Sequence, residues 1–272
     1  MARVCVRATL KGLSSRPRLR QGTPFPSIGL GVYQCTPGAE AYNAVRSALA
    51  LGYRHIDTAQ AYHNEEDVGR AVRDSGIPRQ DIFVTSKLKV HSWGRAAATA
   101  AVETSLKKLG LDYIDLFLLH APGDPALRAE TWGVLERYQA LGRLRSIGVS
   151  NFGISHLEKL LLSAQVVPAV NQIELNPFLQ WREVVTYCRG KDIVLEAYSP
   201  LARGQKLDDP TLAAIAGKLG VTPVQIMVKY VWPLWALQKG FVVLPKSVVP
   251  ERQRENADVM HFTIPDELDA GA

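Results

Sequence analysis

Asp57, Tyr62, Lys87 and His120 each stand at or just beyond a short apolar run. A phenol beside an ammonium group is an uncommon acid–base pair. The cation favours the phenolate and draws a reference pKa of ~10 towards neutrality. A carboxylate beside the lysine would hold it charged, and a histidine would orient a polarised carbonyl. No one of these residues says this alone. The chemistry comes from the set, and from its placement at the ends of elements that would bring four distant positions to one reaction centre.

The elements that must do this alternate between two periods. Strand-like runs are RHID (54–57), DIFVTSK (81–87), YIDLFLLH (113–120), RSIGVS (145–150), VVPAVNQIEL (166–175), DIVLEAYS (192–199) and FVVLP (241–245), with an earlier one near SIGLGV (27–32). Helix-like stretches lie between them at 38–52, 65–76, 96–110, 126–142 and 154–164. In the first, Ala41, Val45, Ala48 and Leu49 share a face and Gly52 stands where a helix would stop. Near-continuous apolar strands alternating with helices predict a parallel sheet covered on both faces. An open doubly wound sheet and a closed eight-stranded barrel both satisfy that pattern. The polar residues sit at the C-terminal ends of many different strands, and no strand leads into a GxGxxG turn. Both points favour an α/β fold of the (β/α)8 TIM-barrel type. No linker divides the chain, so residues 1–272 read as one barrel domain.

Composition narrows the function classes. The chain has 272 residues, 47% of them apolar, enough for one substantial core. Its formal charge of +6 is all carried by residues 1–22, where Arg3, Arg7, Lys11, Arg16, Arg18 and Arg20 face no acid. The remainder is balanced, so a basic body for nucleic acid is not indicated. The same basic start reads as a surface β-hairpin, with Val4 and Val6 alternating against charged neighbours and Gly12 at the turn. A targeting peptide is the alternative. No apolar run is long enough to span a bilayer. Cys5, Cys35 and Cys188 have neither metal-ligand spacing nor an even disulfide count, so no metal is expected and a reducing, cytoplasmic setting is.

With these residues in view, the chain resembles the aldo-keto reductase family along nearly its whole length. LGYRHIDTAQAYHNEEDVGRAV (51–72), SIGVSNF (146–152) and LPKSVVPERQREN (244–256) look like the family's three signatures in order. The substrate loops resemble shorter members, such as prostaglandin F synthases of protozoa and diketogluconate reductases of bacteria. The resemblance implies that Tyr62 is the general acid for carbonyl reduction, tuned by Lys87, which Asp57 anchors, with His120 holding the carbonyl oxygen as neutral imidazole. It implies that Ser150, Asn151 and Gln172 bond the nicotinamide carboxamide and that Tyr198 stacks on the ring. Ser199 and Leu201 would embrace the pyrophosphate. Lys246, Ser247 and Arg252 would meet a 2′-phosphate, and Glu255 and Asn256 the adenine. Two cations and a hydroxyl suit a dianion, so NADPH is implied over NADH.

Three departures from the family bear on the substrate. Lys89 and Ala121 stand where many relatives place tryptophans, which would enlarge the pocket, with Tyr33 as a remaining aromatic wall. VKYVWPLWALQKG (228–240) looks like an insertion of about five residues around 231–235, with Pro233 breaking any helix there and Trp232 and Trp235 packing back or meeting a partner. The chain ends at Ala272, where most relatives continue with a helix and a tail over the site, so a more open pocket is implied. The main reading is an NADPH-dependent reductase of aldehydes or ketones, acting on a small-molecule carbonyl substrate as a monomer. The alternative is a cofactor-binding scaffold or redox sensor that turns over slowly.

Overall fold

Strand residues point alternately to opposite faces, so a chain of short parallel strands can bury one side in a barrel and the other under helices. The computed structural model describes residues 19, 22, 24–231 and 241–264 and takes this form. The proposed N-terminal hairpin, most of the 231–235 insertion with Trp232, Pro233 and Trp235, and the end beyond 264 lie outside the described residues.

The strands are β1 (Leu30–Gly31), β2 (His55–Asp57), β3 (Phe83–Leu88), β4 (Ile114–Leu119), β5 (Leu144–Ser150), β6 (Val170–Glu174), β7 (Val194–Tyr198) and β8 (Val242–Leu244). They pair in parallel in sequence order. The segment leading into β1 closes the ring. Ile28 bridges Val243, Gly29 N donates to Val243 O at 2.9 Å, and Gly31 N donates to Pro245 O at 3.1 Å. Closure leaves no free edge among the described strands. The fold is the (β/α)8 TIM barrel.

Helices α1 (Ala39–Ala50), α2 (Glu65–Arg73), α3 (Arg95–Leu109), α4 (Pro125–Ala140), α5 (Ile154–Leu161), α6 (Arg182–Gly190), α7 (Pro210–Leu219), α8 (Pro223–Val231) and α9 (Pro250–Ala257) cover the outside. Their limits follow local chemistry. Asp124 and Asp209 each accept from backbone N–H groups of the first helical turn, and each is followed by proline, which has no N–H to satisfy there. Gly110 ends α3 with φ 60°. Gly69 in α2 has a different duty. A Cβ there would overlap the Leu109 carbonyl, so its absence sets how closely α2 packs on α3.

Two apolar layers result. Ile56, Val84, Phe117, Leu119, Ile147, Val149, Leu195 and Val243 face outward into the helix layer, all buried. Phe83, Leu116, Leu118, Val170 and Val242 fill the barrel interior over Phe25 and Leu19, which plug its N-terminal end. Above this plug the interior turns polar. No single helix among the described residues is long and apolar enough to cross a membrane.

Candidate active site

The inward-facing parity of each strand decides which side chains meet. On β2 it is His55 and Asp57, on β3 Thr85 and Lys87, on β6 Gln172, and on β7 Glu196 and Tyr198. Ser150 lies opposite Gln172 in the register and Gln172 opposite Glu196. Gly148 contributes space. A Cβ there would approach Val170 O to 2.6 Å and Leu118 Cδ2 to 2.7 Å.

Tyr62 ends a short 3-10 turn (Gln60–Tyr62) directly after β2. Lys87 Nζ donates to Asp57 Oδ1 at 2.6 Å, to Thr58 O at 2.9 Å and to Tyr62 Oη at 3.4 Å. Lys87 is 0% exposed and Asp57 3%. An ammonium with three donors thus spends all of them on an acid, a carbonyl and the phenol. The Tyr62 and His120 rings meet edge-on with centroids 5.6 Å apart, and Tyr33 lies 5.0 Å from Tyr62 on another side. The four residues singled out for chemistry are therefore neighbours.

Electrostatics give each a state. Burial works against charge on Lys87, but Asp57 and Tyr62 beside it outweigh burial and hold the ammonium above its ordinary pKa. Burial pushes the Asp57 carboxyl up, opposed by Lys87 and by a bond from Gln172. Burial and then Lys87 push His120 down to about 4, so its imidazole is neutral near pH 7. Tyr62 differs from the sequence expectation. Burial raises its pKa, Lys87 opposes the rise, and the net shift is upward rather than towards neutrality. The sequence shows the cation but not the loss of water around the phenol, and the second effect is the larger.

The β5 and β7 ends are knitted together. Ser150 Oγ donates to Gln172 O at 2.9 Å. Asn151, at φ 62°, donates from Nδ2 to His120 O and to Ser150 Oγ, both at 3.1 Å, and accepts from Tyr198 Oη at 2.8 Å. Gln172 Nε2 donates to Asp57 Oδ2 at 2.8 Å and to Glu196 Oε2 at 2.6 Å. Beyond β7 the backbone is strained. Ser199, Ala202 and Arg203 all have positive φ, an arrangement that costs free energy and clusters at functional sites. Leu201, between them, is half-buried.

Lys246 and Arg252 are exposed on either side of the start of α9, while Ser247 is buried and its hydroxyl accepts from Val249 N at 3.1 Å. Glu255 takes a bond from Thr222 Oγ1 at 2.7 Å. Asn256 is 2% exposed, and its buried Oδ1 has no donor among the described residues. At the opposite rim Lys89 is exposed, with its backbone N–H on Gln60 Oε1, and Ala121 is half-buried beside His120. A buried Trp93 stands four residues beyond Lys89, its ring so close to Gly123 that a Cβ there would meet it at 2.7 Å. An indole therefore does support the loop after β4, supplied from a position the sequence reading passed over.

Other residues it passed over are His55, Thr58 and Glu196. Thr58 meets Lys87 through its backbone carbonyl, which no side-chain pattern marks; for the other two the available signal was period two. His55 is two residues before Asp57, and Glu196 two before Tyr198. Among the described residues no group of three or more His, Cys, Asp or Glu side chains is arranged to hold a metal, and Cys35 and Cys188 are free and buried.

The sequence pattern of the aldo/keto reductase family matches residues 27–268. Glyoxal reductase of Bacillus subtilis (strain 168) is 43% identical over 255 residues, covering 94% of this chain and 90% of that protein. A crystal structure of an aldo/keto reductase from Brucella melitensis superposes with a TM-score of 0.88 at 43% identity, covering 94% of this chain and 96% of that one. The Bombyx mori aldo-keto reductase, solved in complex with NADP, gives a TM-score of 0.85 at 35% identity, with 94% and 90% covered.

Proposed function

The chain belongs to the aldo/keto reductase family, and from that premise we propose that it reduces aldehydes or ketones to alcohols with NADPH, taking the proton from Tyr62. It is an NADP(H)-dependent oxidoreductase of the carbonyl-reducing kind. The observation that carries the finer reading is the contact of one fully buried ammonium, Lys87, with both Asp57 and Tyr62.

The residues at the barrel mouth suit the cofactor. Asn256 Oδ1 is a buried acceptor in want of a donor, such as an adenine amino group. Lys246, Ser247 and Arg252 offer two cations and a hydroxyl to a 2′-phosphate. Ser199 and Leu201, in the strained turn, are the pyrophosphate positions, with Glu255 beside Asn256 at the adenine. Ser150, Asn151 and Gln172 present donors and acceptors to a carboxamide, and Tyr198 a ring face to the nicotinamide. When bound, NADPH supplies the hydride that adds to the carbonyl carbon.

Tyr62 meets the negative charge that then develops on oxygen. Because burial keeps its pKa high, Tyr62 arrives protonated at neutral pH and is a donor. Lys87 offsets the cost of the phenolate left behind, and Asp57 keeps Lys87 charged. His120, neutral, offers a hydrogen bond that holds the carbonyl oxygen facing Tyr62. Tyr33 and Ala121 line the substrate side, with Lys89 at its rim. In loop shape the chain is read with the short prostaglandin F synthase and diketogluconate reductase members, as a cytoplasmic monomer.

Tyr62→Phe tests the assignment. It removes the proton donor and little volume, so NADPH titration by fluorescence should be unchanged while turnover with a panel of aldehydes and ketones falls ~10²–10⁴-fold. Retention of more than about a tenth of the activity would rule out general acid catalysis by Tyr62. A wild-type enzyme that binds NADPH but turns over none of the panel would favour the scaffold or redox-sensing alternative.

A further inference from the structure

Glu196 has no part in the reduction as described, yet it lies at the centre of the polar layer. It is 0% exposed, and its Oε2 accepts from Gln172 Nε2 at 2.6 Å. The same Gln172 nitrogen reaches Asp57 Oδ2 at 2.8 Å. One amide nitrogen has two hydrogens, and both are committed to carboxyl groups arriving from β2 and β7. Asp57, held as a carboxylate by Lys87 Nζ at 2.6 Å, also fixes which end of the amide is nitrogen. The carbonyl end, Oε1, is left without a donor among the described residues, and Gln172 sits between Ser150 and Glu196 in the register.

Glu196 does not behave as a second anion. Burial, and then the nearby Asp57 charge, push its carboxyl up to about 8, against the opposing effects of Gln172 and Lys87. Its other oxygen lies 3.5 Å from His55 Nε2, whose ring burial and Lys87 keep neutral. A protonated acid still accepts through its carbonyl oxygen, which is the contact Gln172 uses.

We propose that Glu196 is a positioning residue for the cofactor. By taking one N–H of Gln172 it holds that amide across the barrel between β2 and β7, with Oε1 presented to the amino group of the nicotinamide carboxamide. Asp57 alone would leave the amide held at one point and able to swing towards β2. This rests on reading Gln172 as a carboxamide contact.

The test is binding of NADP⁺ against its 3-acetylpyridine analogue, in which a methyl group replaces the carboxamide amino group. Isothermal titration calorimetry on the intact protein reads both without turnover. Wild type should prefer NADP⁺ by about fivefold, the worth of one ordinary hydrogen bond. Glu196→Gln keeps an acceptor and resembles the protonated acid, so it should keep the preference. Glu196→Met removes the acceptor, and Glu196→Asp withdraws it by one methylene, enough to break a 2.6 Å bond. Both should lower the preference towards one, each checked for a cooperative thermal transition, and the aspartate variant decides if the methionine variant does not fold. Gln172→Met should abolish the preference. If it does so while Glu196→Asp retains the wild-type ratio, Glu196 does not position Gln172. Loss of the preference in a folded Glu196→Gln would overturn the acceptor role. A preference that survives Gln172→Met would refute the reading of Gln172 itself, and the role of Glu196 with it.

Discussion

Lys87→Met is the perturbation whose energetics the structure constrains most tightly. Lys87 Nζ and Asp57 Oδ1 are 2.6 Å apart with side chains 0% and 5% exposed. At an effective dielectric of about 20 their gross attraction is roughly 6 kcal/mol, set against the cost of keeping two ions from water. Removing only the lysine leaves Asp57 buried with Gln172 as its remaining partner. Breaking a buried pair in this way costs ~3–5 kcal/mol, whereas replacing both charges is close to neutral. Lys87→Met should therefore lose about that much in urea unfolding at pH 7.5, and Asp57→Asn/Lys87→Met should recover most of it. The pH dependence has a definite sign. Without its cation, Asp57 keeps a folded pKa raised by burial, so the folded state binds more protons than the unfolded one. In wild type that carboxyl is already raised with Lys87 opposing the rise, and the variant loses the opposition, so its stability deficit should grow as pH rises from the wild-type folded pKa, itself above ~3.9, towards the variant's higher one, and shrink in acid. Neither variant should regain turnover, because Tyr62 lacks its ammonium in both. Equal stability for the single and double variants, or a deficit that ignores pH, would refute the account of a charge left unpaired.

The other predictions concern cofactor, acid stability and pocket. Arg252→Ala and Lys246→Ala should each weaken NADPH at least about tenfold more than NADH, since a charge-assisted bond to phosphate is lost and NADH never makes it; dissociation constants for both cofactors decide, and equal weakening would remove the 2′-phosphate assignment. His120 and His55 have folded pKa values pushed down, to about 4 and about 3, so the unfolded chain binds more protons below ~6.5. The contribution of these two histidines should fall as pH drops from about 6.5 towards 4, against the opposite contribution of the raised Glu196 and Asp57 carboxyls, and His120→Asn should lessen the acid loss relative to wild type in urea melts. Ala121→Trp should lower kcat/KM for bulky ketones while sparing small aldehydes, at unchanged NADPH affinity. A uniform loss would point to displaced cofactor or misfolding, and no loss would put Ala121 outside the pocket.

What the sequence could and could not tell follows from the barrel's geometry. Strand ends were legible because an apolar run that stops at a polar residue marks the point where a side chain leaves the packed interior. Asp57, Lys87 and His120 stand out in that way, whereas Tyr198 is marked only by the family resemblance. Limits failed where pairing, not hydropathy, decides. The run 166–175 becomes strand only from Val170, because Pro168 has no N–H for the ladder and Ala169 makes the first bond to Ile147 O. SIGLGV divides its work, Leu30–Gly31 joining β2 while Ile28 bridges Val243 to close the ring. Hidden most completely were the consequences of burial. In the sequence, Glu196 is one acid in the strand DIVLEAYS; period two puts it on the face of Tyr198, but nothing local says that a neighbouring strand brings Gln172 to it. The same loss of water reverses the expected shift of Tyr62. A phenol beside a lysine reads as an activated phenolate, but inside a barrel mouth the phenol keeps its proton until charge develops on a bound oxygen. That makes Tyr62 a donor suited to reduction, and the ammonium at 3.4 Å is then most valuable after the proton has left.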